Sequence, residues 1–273
     1  MADVAVTPRE RNRALWSSGD WDQVADFISV AGPDLLHRIG GIGPGVRLLD
    51  IGTGSGGSVA IPAAQRGADV VGCDVTDAWF PAAQRRAEEA GVDDIEWVVG
   101  DAVELPFEDG SFDIVTSTFG HMFAPDQPAA AAELVRVCKP GGTIGLACWT
   151  PEGVTGRMFG SIASLMPPPP EGFRPPVFWG SEPHVTELLE PLGVTLDMQR
   201  TTLRIEFDDP EAQADHYEKN FGPLVMAKAA IGEENWPQAR EMFQAFLRDI
   251  NDRDDGGMGA DWEYLVTIGR TAA

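Results

Sequence analysis

The sequence predicts an α/β domain, doubly wound around a parallel sheet. Short runs rich in Val, Ile and Leu recur through the first two thirds of the 273-residue chain, the pattern of strands buried on both faces. Helical segments separate those runs, and this alternation places helices on both sides of the sheet. The first run ends in a glycine-rich turn, "RLLDIGTGSGGSVA" (47–60), which leads into a helix. Such a turn brings backbone N–H groups close to a polar or anionic ligand.

Ahead of the first strand, "RERNRALWSSGDWDQVADFI" (9–28) suggests one or two helices lying across the sheet. Strands are expected at 46–52, 68–74, 95–101, 112–119 and 143–149, with helices near 57–67, 77–91 and 126–138. Pro62 and Pro81 fall inside two of those helices, where a missing N–H costs stability. Those helices therefore start later or are kinked. "MPPPPEGFRPPVFWG" (166–180) is too proline-rich for a regular helix or central strand. It is expected as a stiff loop or a lid carrying Phe173, Phe178 and Trp179. Ser181 is placed as the N-cap of the next helix. "VTLDMQRTTLRIEF" (194–207) alternates like one bent strand or a hairpin, and helices follow over 210–231 and 233–250. "WEYLVTIGR" (262–270) is the last expected strand. The chain thus divides into N-terminal helices covering the ligand edge (1–45), a cofactor-binding core (46–150), and lid or cap insertions with the last sheet strands (151–273), one domain in all.

With 43% apolar residues the chain can bury a full core. Its formal charge of -23 repels phosphate backbones and anionic lipid, so neither nucleic acid nor a membrane surface is an expected partner. No run approaches the ~20 apolar residues of a membrane span. The N-terminus turns polar where a signal peptide needs its apolar segment, so a cytoplasmic protein is expected. Cys73, Cys138 and Cys148 form no CxxC pair and have no histidines at ligand spacing, so no disulfide framework and no metal is expected.

The glycines alone fit two cofactors. Gly52, Gly54 and Gly57 satisfy the GxGxxG of nicotinamide dehydrogenases, and Gly52, Gly54 and Gly56 the GxGxG of methyltransferases. Asp74 ends the second strand, where a carboxylate accepts from both ribose hydroxyls of either. Asp50 separates them. It sits inside the glycine motif, where it would repel a pyrophosphate and attract the ammonium group of a methionine-bearing nucleoside. Asp101 ends the third strand, where it can accept from an adenine amino group, with the backbone of Ala102 beside it.

Four motifs in register, "LLDIGTGSGG", "VVGCDVT", "GDAVELPFEDGSFDIV" and "ELVRVCKPGGTIGLACW", carry a resemblance over roughly residues 45–150. The chain resembles the class I S-adenosylmethionine-dependent methyltransferases. Within them it is similar to the small-molecule group that includes the ubiquinone and menaquinone biosynthesis enzymes. The resemblance implies a Rossmann-like sheet of seven strands, order 3-2-1-4-5-7-6, with strand seven antiparallel. It implies that Asp50, Gly52, Thr53, Gly54 and Gly56 hold the methionine part and Asp74 and Val75 the ribose and adenine edge. Asp101 and Ala102 would hold the adenine, and Ser117 and Thr118 would line the sulfonium side. The "KPGG" turn (139–142) would be structural.

The implied reaction transfers a methyl group from S-adenosylmethionine, leaving S-adenosylhomocysteine, to oxygen or carbon of a small, largely apolar metabolite. Alignment and desolvation supply most of the rate, and a hydroxyl acceptor gains from a base. His121, just beyond strand four, is the catalytic candidate for that base, and His216 the second. His37 and His184 have no chemical company in the sequence. Trp16, Trp21, Phe119, Met122, Phe123, Met158 and Phe159 are candidates for the acceptor pocket. The alternative that keeps fold and cofactor is a non-methylating reaction such as a cyclisation.

Overall fold

The computed structural model of the chain describes residues 7–163 and 172–273. Its sheet is built from β1 (Arg47–Ile51), β2 (Asp69–Asp74), β3 (Glu96–Val99), β4 (Phe112–Thr118), β5 (Cys138–Trp149), β6 (Val194–Phe207) and β7 (Met258–Thr271). The order is β3-β2-β1-β4-β5-β7-β6. β1 to β5 run parallel, and β7 is antiparallel to both of its neighbours. This is the order and sense that the resemblance implied. β1 lies inside the sheet because Leu48, Leu49 and Ile51 leave almost no surface exposed on either face.

α1 (Pro8–Trp16), α2 (Trp21–Ile28) and α3 (Ala31–Ile39) precede the sheet. Thr7 and Glu10 start α1 as a capping box: the Thr7 hydroxyl accepts from the Glu10 N–H, and the Glu10 carboxylate from the Thr7 N–H. α3 lies beyond the 9–28 stretch read as helical.

α4 (Ala60–Gln65) and α5 (Phe80–Glu89) begin later than 57 and 77. Pro62 and Pro81 then fall in first turns, where no N–H partner is required. α6 (Gln127–Val137) runs into β5. The "KPGG" turn is absorbed in β5 as an irregularity, since the β4 register jumps from Phe112↔Cys138 to Ile114↔Thr143. Beyond β5 come α7 (Val154–Ala163) and α8 (Glu182–Leu189). Ser181 precedes α8, but its side chain makes no capping bond.

The helix expected over 210–231 is two, α9 (Pro210–Asn220) and α10 (Gly222–Ile231), broken at an extended Phe221. The break lets the chain pass the end of α1. A Cβ on Gly222 would stand 2.7 Å from the Leu15 carbonyl oxygen. α11 (Trp236–Ile250) then leads to β7. Residues 194–207 form one strand along the whole of β7, not a hairpin.

Part of the expected lid, 166–171, lies outside the described residues. From 172 the chain is fastened to α6: the Gln127 amide donates to the carbonyls of Arg174 and Pro175, at 3.3 and 3.2 Å. Gln127 Oε1 meets His184 Nε2 at 2.7 Å, so His184 has a structural partner that sequence spacing did not show. Phe173 and Phe178 are exposed, while Trp179 is completely buried.

Candidate active site

A cavity opens at the carboxyl ends of β1, β2 and β4, where open α/β sheets receive ligands. Its empty space, including open solvent at the mouth, is about 880 Å³. Its floor is the glycine turn. After Ile51 the backbone takes left-handed angles at Gly52, Gly54 and Gly56, with φ of 67°, 52° and 77°. The N–H groups of Gly52 and Thr53 donate to the Cys73 carbonyl at 2.8 and 3.1 Å, fastening the turn to the end of β2. A Cβ on Gly52 would stand 2.6 Å from Gly120 Cα. The loops after β1 and β4 can touch only because both residues there lack side chains.

Asp50 and Asp74 line this cavity and are almost completely buried. Asp50 accepts from the hydroxyls of Thr53, at 2.8 Å, and Thr116, at 3.2 Å. Burial nevertheless pushes its carboxyl up to about 7. Asp74 accepts from the N–H groups of Gly54 and Thr76, at 2.9 and 3.2 Å, and burial pushes it up to about 6. Neither carboxylate has a cationic side chain in an ion pair among the described residues. A cationic ligand group placed between them would bring both back toward ordinary acidity. Asp101 also lines the cavity, 3.4 Å from Arg9 Nε.

At the mouth of β4, the Ser117 hydroxyl donates to the Ile51 carbonyl and accepts from the His121 N–H at 2.9 Å. Ser117 thus stands behind the wall as a brace. Thr118 Oγ1, Ser55 Oγ and both ring nitrogens of His121 are buried with no hydrogen-bond partner among the described residues. All three residues line the cavity. His121 packs edge-on against Trp179, ring centroids 4.4 Å apart. Burial pushes its imidazole down to about 3, the opposite direction from a base tuned to neutral pH.

Of the expected site residues, Asp50, Gly52, Thr53, Asp74, Val75, Asp101, Ala102, Thr118 and His121 line one cavity. Gly54, Gly56 and Ser117 do not. Gly56 packs against Trp97, and a Cβ on Gly54 would meet the Trp21 indole at 3.1 Å. His216 lies elsewhere, its ring against Phe27 and Phe207. Trp16, Trp21, Phe119 and Phe123 line the cavity, Met122 is buried behind it, and Met158 and Phe159 line a second one.

Sequence reasoning missed Gly120, Ser55, Asn12 and Trp79, which also line the cavity. Gly120 had a signal, a glycine directly after a strand at the ligand edge. Asn12 had none, because α1 reaches the cavity only by tertiary packing, whereas Trp79 stands in the segment between β2 and α5, at the sheet's carboxyl edge. That packing is held in part by Trp79 Nε1 donating to the Trp16 carbonyl at 2.8 Å.

No group of three or more His, Cys, Asp and Glu side chains among the described residues is placed to hold a metal. No helix among them is long and apolar enough to cross a membrane.

A methyltransferase-domain family model matches residues 49–146. An uncharacterized protein of Mycobacterium tuberculosis is 40% identical over 257 residues, 93% of this chain and 92% of its own. A demethylmenaquinone methyltransferase of Beutenbergia cavernae is 41% identical over 129 residues, 45% of this chain and 51% of that one. Among solved structures, the YcgJ protein of Bacillus subtilis matches with a TM-score of 0.61 at 20% identity, over 89% of this chain and 99% of its own. The donor set fits the cofactor of the matched family: buried carboxylates suit a sulfonium nucleoside with an ammonium group, and the unpartnered hydroxyls of Ser55 and Thr118 await a polar ligand. The chain belongs to the class I S-adenosylmethionine-dependent methyltransferases, with S-adenosylmethionine as its cofactor and S-adenosylhomocysteine as the spent form.

Proposed function

We propose that this enzyme methylates oxygen or carbon of a small, uncharged, largely apolar metabolite. One observation carries this proposal. The lining combines acidic side chains, Asp50, Asp74 and Asp101, with aromatic ones, Trp21, Phe119 and Phe123. The carboxylates suit the cofactor's ammonium, hydroxyl and amino groups, and the aromatic rings suit an apolar acceptor.

In this proposal Asp50 and Thr53, on the turn shaped by Gly52, Gly54 and Gly56, hold the methionine ammonium and carboxylate region. Asp74 and Val75 hold the ribose, and Asp101 and Ala102 the adenine. Thr118 faces the sulfonium side, with Ser117 bracing it. Bound S-adenosylmethionine supplies an electrophilic methyl group on its sulfonium. The chain's own residues align the acceptor and keep water away, and these two effects supply most of the rate. Phe119 and Phe123 orient the acceptor. His121, neutral above about pH 4 by its shift, offers a ring nitrogen as a hydrogen-bond partner for an acceptor oxygen. It positions that oxygen and does not remove its proton, which leaves to solvent through the cavity's open mouth as the methyl group arrives. α1 and α2 form the outer wall through Trp16 and Trp21.

Incubation with methyl-labelled S-adenosylmethionine and fractionated cell metabolites tests the proposal. Label is expected in neutral products that partition into organic solvent. Label confined to charged, water-retained products would overturn it.

A further inference from the structure

A second cavity, with about 400 Å³ of empty space including open solvent at its mouth, adjoins the first and shares Trp21, Ile28 and Phe123 with it. Its far walls come from distant parts of the chain: Met158 and Phe159 on α7, Phe221 after α9, and Trp262 on β7. No acidic or basic side chain lines it. A charged group entering there would lose its hydration and find no counter-ion.

Two polar atoms of the lining residues are buried and unpaired. Thr155 and Trp262 are each 3% exposed, and Thr155 Oγ1 and Trp262 Nε1 have no hydrogen-bond partner among the described residues. A buried donor left unpaired is costly, and a ligand atom that pairs with it recovers that cost on binding. An indole N–H only donates, so the atom it awaits is an acceptor. The surrounding aromatic rings favour a flat ring over a flexible chain, through edge and face contacts.

We propose that the second cavity is the body subsite for the methyl acceptor. It takes a neutral, ring-bearing molecule with an oxygen at the end remote from the methylated atom. Trp262 Nε1 and Thr155 Oγ1 hold that oxygen. The ring fills the space beside Met158 and Phe159, and the reacting end passes Phe123 into the first cavity. This assignment rests on the methyl-transfer proposal, because it needs the first cavity to be the cofactor's.

The probe is 2-naphthol, with 2-naphthoate as its anionic counterpart, titrated by calorimetry into protein with and without saturating S-adenosylhomocysteine. Saturable 2-naphthol binding is expected, with 2-naphthoate weaker by about a hundredfold. Met158→Trp, which fills the cavity, should abolish 2-naphthol binding. Thr155→Val, which keeps the shape and removes the hydroxyl, should weaken it by about tenfold. Both variants should keep the parent affinity for S-adenosylhomocysteine, which shows that they fold. Equal binding of the two probes, no binding of 2-naphthol, or 2-naphthol binding that neither substitution moves would overturn the subsite. If S-adenosylhomocysteine failed to bind while 2-naphthol still bound and Met158→Trp removed it, the cofactor's placement would fall and the second cavity would stand.

Discussion

Phe119 and Trp149 stack face to face, ring centroids 3.8 Å apart and planes 4° from parallel. Phe119 lines the first cavity and Trp149 the second, so the pair forms part of the partition between them. The stack is held by a backbone angle that side chains rarely take: Phe119 has φ of 59° and is the one non-glycine residue with positive φ among those described. Its N–H donates to the Ala147 carbonyl at 2.8 Å, continuing the β4–β5 ladder one residue past β4. The chain then turns at Gly120 to meet Gly52.

That strain makes a prediction about truncation at position 119. Removing a buried phenyl ring costs about 3–5 kcal/mol. An alanine left in the left-handed region keeps a further penalty of about 1 kcal/mol that glycine does not carry. Phe119→Gly should therefore be less destabilised than Phe119→Ala, the reverse of the usual order. Denaturant unfolding of the two variants checks this, and an alanine variant that is the more stable would contradict it.

Asp50 should trade stability against binding. Its carboxyl is pushed up to about 7 in the fold, against ~3.9 in an unfolded chain. The stability it contributes is complete below about pH 4 and is lost as pH rises through about 7. Asp50→Asn should therefore raise the melting temperature of the cofactor-free protein at pH 8, by an equivalent of about 1–3 kcal/mol, with the gain fading toward pH 4. In the proposed placement the cofactor's ammonium favours ionised Asp50, so wild-type affinity should fall below about pH 7. The variant should bind weakly at every pH. Calorimetric titrations at pH 6 and pH 8 measure this, and a variant that binds as tightly as wild type would move the ammonium elsewhere.

Asp74→Ala should lose stability as well as cofactor affinity. Its carboxylate accepts from two backbone N–H groups, those of Gly54 and Thr76, and its removal leaves both buried donors unpaired. Each such loss costs about 1–3 kcal/mol. Asp74→Asn keeps one carbonyl acceptor and should fall between wild type and alanine. Thermal melting without ligand is the measurement, and an unchanged melting point for alanine would show that the turn holds without this residue.

His121 should not set the acidic limb of the pH–rate profile. With its imidazole pushed down to about 3 by burial, it carries no proton to lose between pH 5 and 9. His121→Asn should lower turnover, yet leave the midpoint of any acidic limb in place. A midpoint near pH 6–7 that disappears in the variant would restore His121 as a general base.

Gly120→Ala should damage the site by steric means alone. The added Cβ would stand 2.7 Å from Gly52 Cα and 2.9 Å from the Gly52 carbonyl oxygen. Backbone on both sides must then shift, and the cofactor floor with it. S-adenosylhomocysteine affinity should drop by at least about tenfold, a loss of ~1.4 kcal/mol. Near wild-type affinity would mean that the β4 loop can move away without disturbing the turn.

The sheet was legible because its evidence is local. Runs such as 46–52 and 68–74 carry adjacent apolar residues, Leu48–Leu49 and Val70–Val71, in place of an alternation, and burial on both faces requires that whatever the rest of the chain does. The glycine turn and the acidic strand ends at Asp50, Asp74 and Asp101 were legible for a related reason: ligands meet a doubly wound sheet at its carboxyl edge, so a residue's place on its strand gives its place at the edge. α4 and α5 start a few residues after 57 and 77, as Pro62 and Pro81 required, since periodicity marks the middle of a helix better than its first turn. The break at Phe221 had a local signal that the 210–231 expectation passed over, the Gly222–Pro223 pair directly after it. The second half of the site depended on neighbours that no local pattern contains. Asn12 and Trp79 reach the first cavity, and Thr155, Phe221 and Trp262 meet around the second one, from segments far apart in sequence. His121 stood in the right place in the chain, but its chemistry was set by enclosure under Trp179, a desolvation that residue order does not encode. Strand ends were therefore settled by sequence pattern, while the walls of both cavities and the acidity of the buried groups arose only when distant side chains closed over them and excluded water.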